Sequence, residues 1–103
     1  MFKLGTDIVK ISRIEKSLKS ASFMQKVFTP AEQEHCKTAE SFAGVFAAKE
    51  AYFKAAGTGI KFPLTQIEIL HNENGKPYVS GVDCCEVSIS HDGDYAVASV
   101  ILW

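Results

Sequence analysis

FAGVFAAKEAYFKAAGTGI, residues 42–60, decides how the rest of the chain is read. Phe42, Phe46, Phe53 and Ala56 recur at helical spacing and no proline interrupts them. The pattern predicts a central helix over residues 40–56 that stops at Gly57, because glycine adopts a left-handed cap at little cost. At about 100° per residue, Glu50 lies ~40° from Phe46 and Lys54 ~80°, near the edge of the buried face. Ala43, Ala47 and Ala51 leave the helix backbone open to close approach by another segment or a ligand. The charges then have two readings. Glu50 and Lys54 form an i,i+4 pair on a wet surface, worth roughly 0.2–0.5 kcal/mol, or Lys49, Glu50 and Lys54 face a charged ligand.

On the N-terminal side, FKLGTDIV at residues 2–9 reads as a strand, and Ile11, Ile14 and Leu18 follow at helical spacing. Lys10, Arg13, Lys16 and Lys19 fall on the other sector, so this helix is amphipathic and basic. Thr29-Pro30-Ala31-Glu32 is a capping box with proline at the first helical position, which starts a brief third element. On the C-terminal side the period changes to two. Residues 66–70, 76–80, 86–90 and 95–102 read as strands, with Asn74-Gly75 and His91-Asp92-Gly93-Asp94 as turns. The expected architecture is a single α+β domain over residues 1–103: one strand, helices, then an antiparallel meander packed on the helices.

A chain of 103 residues supports one small core. Hydrophobic residues at 47% with 22% charged exclude a disordered or collagen-like chain. No apolar run approaches the roughly 20 residues that cross a bilayer, and Asp7 interrupts what a signal peptide would keep apolar, so a cytoplasmic protein without membrane contact is expected. Cys84 and Cys85 are neighbours that cannot readily bridge, which leaves Cys36, Cys84 and Cys85 as buried thiols. Residues 1–30 carry six basic groups against Asp7 and Glu15, whereas the remainder holds five lysines against ten acids. That asymmetry points to an acidic partner meeting the N-terminal part. A single arginine argues against nucleic acid.

Asp7 lies at the end of the first strand, where the chain is about to become a helix. It is either a helix cap or, with Glu50, one of two converging carboxylates. Paired oxygen ligands completed by water and substrate phosphate suit Mg²⁺, and Mn²⁺ accepts the same donors. Lys49 and Lys54 would then meet phosphate oxygens, with Gly57-Thr58-Gly59 offering bare backbone N–H groups. Ser90 and His91 end a strand whose side chains can enter a crevice, although Asp92 or Asp94 could satisfy His91 within a turn.

Five segments, GTDIVKISRI (5–14), VFTPAE (27–32), FAGVFAAKEAYFKAAGTGI (42–60), NENGKPYV (72–79) and VSISHDGDYAVASVI (87–101), together resemble the holo-acyl-carrier-protein synthases, the small bacterial phosphopantetheinyl transferases. The resemblance covers nearly the whole chain, in the family's order. It implies magnesium-dependent transfer of 4′-phosphopantetheine from coenzyme A to a serine of an acyl carrier protein, in support of fatty acid biosynthesis. Asp7 and Glu50 match the metal carboxylates and Lys54 the lysine that meets the diphosphate. Glu50, directly or through a water on the metal, is the expected proton acceptor. The segments Gly75-Lys76-Pro77 and Ser90-His91 are implied to line the coenzyme A pocket, and Arg13 to dock an acidic carrier helix. A homotrimer with sites across subunit boundaries is implied as well.

The chain departs from the family pattern in two places. EQEHCKTAES, residues 32–41, is short and has one base, Lys37; Gly44-Val45-Phe46 stands where the pattern often reads Gly-Arg-Phe. Both bear on contacts to the adenosine 3′-phosphate and to the carrier. The rival readings are a catalytically silent coenzyme A or carrier-binding module and a purely structural oligomer.

Overall fold

The computed structural model describes all 103 residues. Its elements run β1 (Lys3–Lys10), α1 (Ile11–Ser17), α2 (Ala21–Val27), α3 (Pro30–His35), α4 (Ala39–Ala56), a 3₁₀ turn (Leu64–Gln66), β2 (Ile69–His71), β3 (Pro77–Val79), β4 (Cys85–Asp92) and β5 (Tyr95–Leu102). At α2, α3 and α4, though not at α1, the helix start is set by a side chain that satisfies orphan N–H groups. Ser20 accepts from the Phe23 amide at 3.2 Å, and Thr38 from that of Ser41 at 3.1 Å. At α3 the capping box is complete: Thr29 Oγ1 accepts from the Glu32 amide at 3.2 Å and Glu32 Oε1 accepts from the Thr29 amide at 2.8 Å.

The α+β class holds, but the C-terminal strands do not form one meander. β5 sits between β1 and β4 in a three-stranded antiparallel sheet, with Asp7 opposite Ala98 and Ser88 opposite Ser99. β2 and β3 make a separate two-stranded hairpin, Ile69 opposite Val79. The expected strand at 66–70 is divided, its start taken up by the 3₁₀ turn. β4 runs through His91 and Asp92, so the following turn is only Gly93-Asp94, with Gly93 at φ 58°. The helix α2 has no counterpart in the sequence reading, which places no element on residues 20–27.

α4 lies across the inner face of the larger sheet. Gly5, Asp7 and Val9 of β1, Ala96, Ala98 and Val100 of β5, and Val87 of β4 face it. Small residues on both surfaces bring backbone against backbone. A Cβ on Gly5 would collide with the Ala51 carbonyl oxygen and lie 2.6 Å from the Ala55 amide nitrogen. The aromatic half of the core packs on the other side of α4, where Phe28 meets Phe42 edge-on at 4.9 Å and Phe23 lies 6.0 Å from Phe46.

The opposite face of the sheet is bare. Strand alternation turns Leu4, Thr6 and Ile8 outward from β1, beside Val97, Ser99 and Ile101 of β5 and Ser88 and Ser90 of β4. Leu4 and Ile8 are 71% and 63% exposed, apolar side chains on a face that no element of this chain covers.

Candidate functional site

The close Gly5–Ala51 approach carries Asp7, two residues along β1 on the same face, against the C-terminal half of α4. Asp7 is 8% exposed there. Lys54 reaches back from α4 and donates to Asp7 Oδ1 at 3.0 Å and to the Thr6 carbonyl at 3.0 Å. The lysine side chain is 53% exposed, so the contact fixes its position more than it stabilises the fold. Asp7 Oδ2 is buried and has no partner, a costly state for a carboxylate oxygen.

Glu50, one helical turn before Lys54, completes the arrangement. Burial pushes its carboxyl up to about 7, and the neighbouring Asp7 carboxylate pushes the same way. Arg13 and Lys54 oppose them with positive charge. Asp7 and Glu50 are therefore neighbours, two like charges that cannot both ionise freely. Arg13, exposed on α1, is near enough for its charge to act on Glu50.

The donor set fits a hard divalent cation. It offers two carboxylates, one with an orphaned oxygen, beside an open surface, and no cluster of three Asp, Glu, His or Cys side chains forms anywhere in the chain. That is the arrangement Mg²⁺ uses when water and substrate phosphate fill the remaining positions.

Lys49 does not belong here. Its ammonium is 0% exposed and donates to Glu32 Oε1 and the Val27 carbonyl, both at 2.6 Å, and to the Leu64 carbonyl at 3.1 Å. It joins α4 to α3 and to the segment before β2, and no phosphate can reach it. Glu32, whose Oε2 also accepts from the Ile69 amide at 2.6 Å, was visible in the sequence only as a capping residue.

Gly57 and Thr58 also serve a different end from the one expected. The Gly57 amide donates to Phe53 and Lys54 carbonyls at 3.0 and 3.1 Å, and the Thr58 amide to Phe53 at 3.3 Å. Those N–H groups cap α4 and are not free to cradle phosphate, and a helix C-terminus presents negative partial charge. Gly57 and Gly59, at φ 75° and 70°, bend the chain away from the helix end.

The segments assigned to coenzyme A divide between two faces. Pro77 and His91 line a cleft of about 180 Å³ together with Ser41, Gly44, His71 and Ile89. His91 Nε2 lies 3.0 Å from the Glu40 carbonyl, so Asp92 and Asp94 are not its partners. Ser90 is one residue out of phase and lies on the bare outer face. Lys76 turns to β4, where its ammonium meets Glu86 Oε1 at 3.0 Å and the Val87 carbonyl at 3.3 Å. The thiols also differ from one another: Cys36 is buried and Cys85 half-buried, but Cys84 is exposed. Burial pushes the Cys36 thiol up, keeping it protonated.

Residues 3–100 match the 4′-phosphopantetheinyl transferase superfamily. The chain is 39% identical to the holo-acyl-carrier-protein synthase of Fusobacterium nucleatum, with 96% of each chain covered. It is 43% identical to that of a Geobacillus strain, over 96% of this chain and 93% of the relative. Among solved structures, the Bacillus anthracis synthase in complex with coenzyme A (3′,5′-ADP) aligns with TM-score 0.85 at 39% identity, covering 97% of this chain and 94% of that one. The Helicobacter pylori synthase in complex with coenzyme A gives TM-score 0.86 at 34% identity, over 94% and 96%. Both the converging carboxylates and these full-length matches lead to one assignment: the chain belongs to the holo-acyl-carrier-protein synthase family of phosphopantetheinyl transferases.

Proposed function

We propose that the Asp7, Glu50 and Lys54 site transfers 4′-phosphopantetheine from coenzyme A to a serine of an apo acyl carrier protein, releasing adenosine 3′,5′-bisphosphate and providing holo carrier for fatty acid biosynthesis. The observation that carries this reading is the meeting of Asp7 and Glu50 beside a tethered, half-exposed lysine, with Asp7 Oδ2 left unpaired. Such a cluster costs stability and is accounted for by a ligand.

Asp7 and Glu50 would hold Mg²⁺, which when bound supplies positive charge against the diphosphate. Lys54, steadied by Asp7 and the Thr6 carbonyl, meets the diphosphate oxygens from the same side. The serine hydroxyl oxygen attacks the β-phosphorus and its proton passes to Glu50. The bond from that phosphorus to the bridging oxygen breaks, and its electron pair leaves with adenosine 3′,5′-bisphosphate. The cleft around Pro77 and His91 receives part of coenzyme A.

The working form is a homotrimer, with each site shared by two neighbouring chains. The uncovered Leu4 and Ile8 face supports association, since a small domain gains most from covering such a surface. We place the reaction in the cytoplasm, a setting that suits three unpaired thiols. Apo carrier protein incubated with the enzyme, coenzyme A and Mg²⁺ gains the mass of one phosphopantetheine at its serine. Binding of coenzyme A without that gain would reduce the protein to a binding module.

A further inference from the structure

Gly44 stands in the interior of α4 and is buried. Glycine at such a position costs about 1 kcal/mol against alanine, so a close neighbour is the natural reason for it. Two neighbours are present. A Cβ at Gly44 would lie 2.8 Å from Ile89 Cγ2 and 2.9 Å from His91 Nε2, inside van der Waals contact with both. The missing side chain is thus a notch in the helix surface, and the end of β4 sits in it.

His91 gains a fixed orientation from the notch. Its Nε2 lies 3.0 Å from the Glu40 carbonyl, in the first turn of the same helix. A carbonyl only accepts, so Nε2 carries the proton and the other ring nitrogen is an acceptor in the neutral ring. His91 lines the 180 Å³ cleft, where Gly44 itself forms part of the wall beside Ser41 and His71. Pro77 approaches from the separate β2–β3 hairpin, so the cleft exists only where three elements converge.

We infer that Gly44 is a positioning residue for coenzyme A: it admits the His91 imidazole against α4, and so sets the shape and the hydrogen-bonding edge of the cleft. The inference rests on the transferase reading and on the cleft as a coenzyme A subsite. A methyl group at Gly44 would lift the ring away from the helix, break its bond to Glu40 and narrow the cleft together.

Coenzyme A binding by the full-length wild-type protein, Gly44→Ala, His91→Ala and the double variant is measured by calorimetry, alongside kcat, KM and the Mg²⁺ dependence of transfer. Gly44→Ala raises Kd and the KM for coenzyme A about tenfold, the equivalent of one lost oriented hydrogen bond, while kcat and the Mg²⁺ midpoint stay put. In the His91→Ala background the ring is gone and only the Ile89 contact remains, so the added methyl lowers coenzyme A affinity clearly less than it does in wild type. Wild-type affinity in Gly44→Ala, or the same additional loss in both backgrounds, overturns the positioning role. A lowered melting temperature with unchanged affinity also overturns it. Wild-type protein that binds coenzyme A but transfers nothing overturns the proposed function and leaves the Gly44 comparison standing; wild-type protein that binds none overturns both.

Discussion

Lys49 and Lys54, five residues apart on α4, end on different carboxylates in different surroundings: Lys49 on Glu32 at 2.6 Å inside the core, Lys54 on Asp7 at 3.0 Å at the surface. On the proposed function, substitution of the two lysines is expected to separate stability from catalysis. Lys49→Met leaves Glu32 charged and unpaired in the interior, which costs about 3–5 kcal/mol, and the chain melts early while its folded fraction keeps normal turnover. Lys54→Met leaves the melting temperature nearly unchanged and lowers kcat by about a hundredfold or more, the scale of losing one group that stabilises transition-state charge. Thermal melts with single-turnover assays check both, and the reverse pattern would return Lys49 to the site.

Glu50→Gln removes one of two opposed carboxylates without changing size. Without divalent cation at pH 8 the variant is more stable than wild type by about 1 kcal/mol, a rise of roughly 4–8 °C for a domain of this length. Mg²⁺ no longer raises its melting temperature, and transfer is nearly abolished. A variant that is less stable than wild type and still responds to Mg²⁺ would place the cation elsewhere.

The same pair makes stability depend on pH. The folded Glu50 carboxyl titrates at about 7, above its unfolded value, so the folded state binds this proton more tightly. Its contribution is complete below the unfolded pKa of about 4.3 and is lost as pH rises through the folded value. Metal-free protein thus loses stability between about pH 4.3 and 7, by on the order of 1 kcal/mol once solvent screening at this half-buried group is allowed for. Mg²⁺ favours both ionised carboxylates and flattens the slope at its upper end. Melting curves across that range, with EDTA and then with Mg²⁺, read the effect; a slope of opposite sign without metal would mean that Glu50 ionises freely.

The bare sheet face offers a direct test of assembly. Ile8→Glu puts a charge where an apolar surface is proposed to meet neighbouring chains. Sedimentation velocity shows a trimer for wild type and slower species for the variant, with transfer falling in proportion. A fully active wild-type monomer would remove the shared-site proposal.

Much of the site was legible in the sequence because its parts obey local rules. The period-two strand puts Gly5 and Asp7 on one face, the helical period puts Glu50 and Lys54 one turn apart, and the Thr29 capping box announces α3. Lys49 was not legible, because a charged residue next to Glu50 in sequence gives no sign of a buried partner 17 residues away. Strand order was hidden for a related reason: nothing local says that β5 will pair with β1. Gly5 did leave a signal, a glycine in phase with Asp7 opposite a run of helical alanines.

Arg13 joins the proposed carrier surface to the chemistry. It is exposed on α1, yet its charge bears on the Glu50 carboxyl, so a carrier docked at Arg13 arrives close to the reacting groups. Arg13→Glu replaces attraction for an acidic helix with repulsion and raises the KM for the carrier about tenfold or more, with most of the change in association rate and strong sensitivity to salt. Coenzyme A affinity is nearly unchanged, since Lys54 and the cleft at the other end of α4, the groups assigned to that ligand, are left intact. Removing the guanidinium also takes away one of the two charges that hold the Glu50 carboxyl down, so in metal-free protein Glu50 titrates higher than in wild type, visible by NMR of the carboxyl carbon. Arg13→Gln loses the attraction and the guanidinium without adding repulsion, and falls between the two in both measurements. If KM for the carrier rises in Arg13→Glu while the Glu50 titration does not move, Arg13 acts in docking alone; if coenzyme A affinity falls equally, it is not a docking residue.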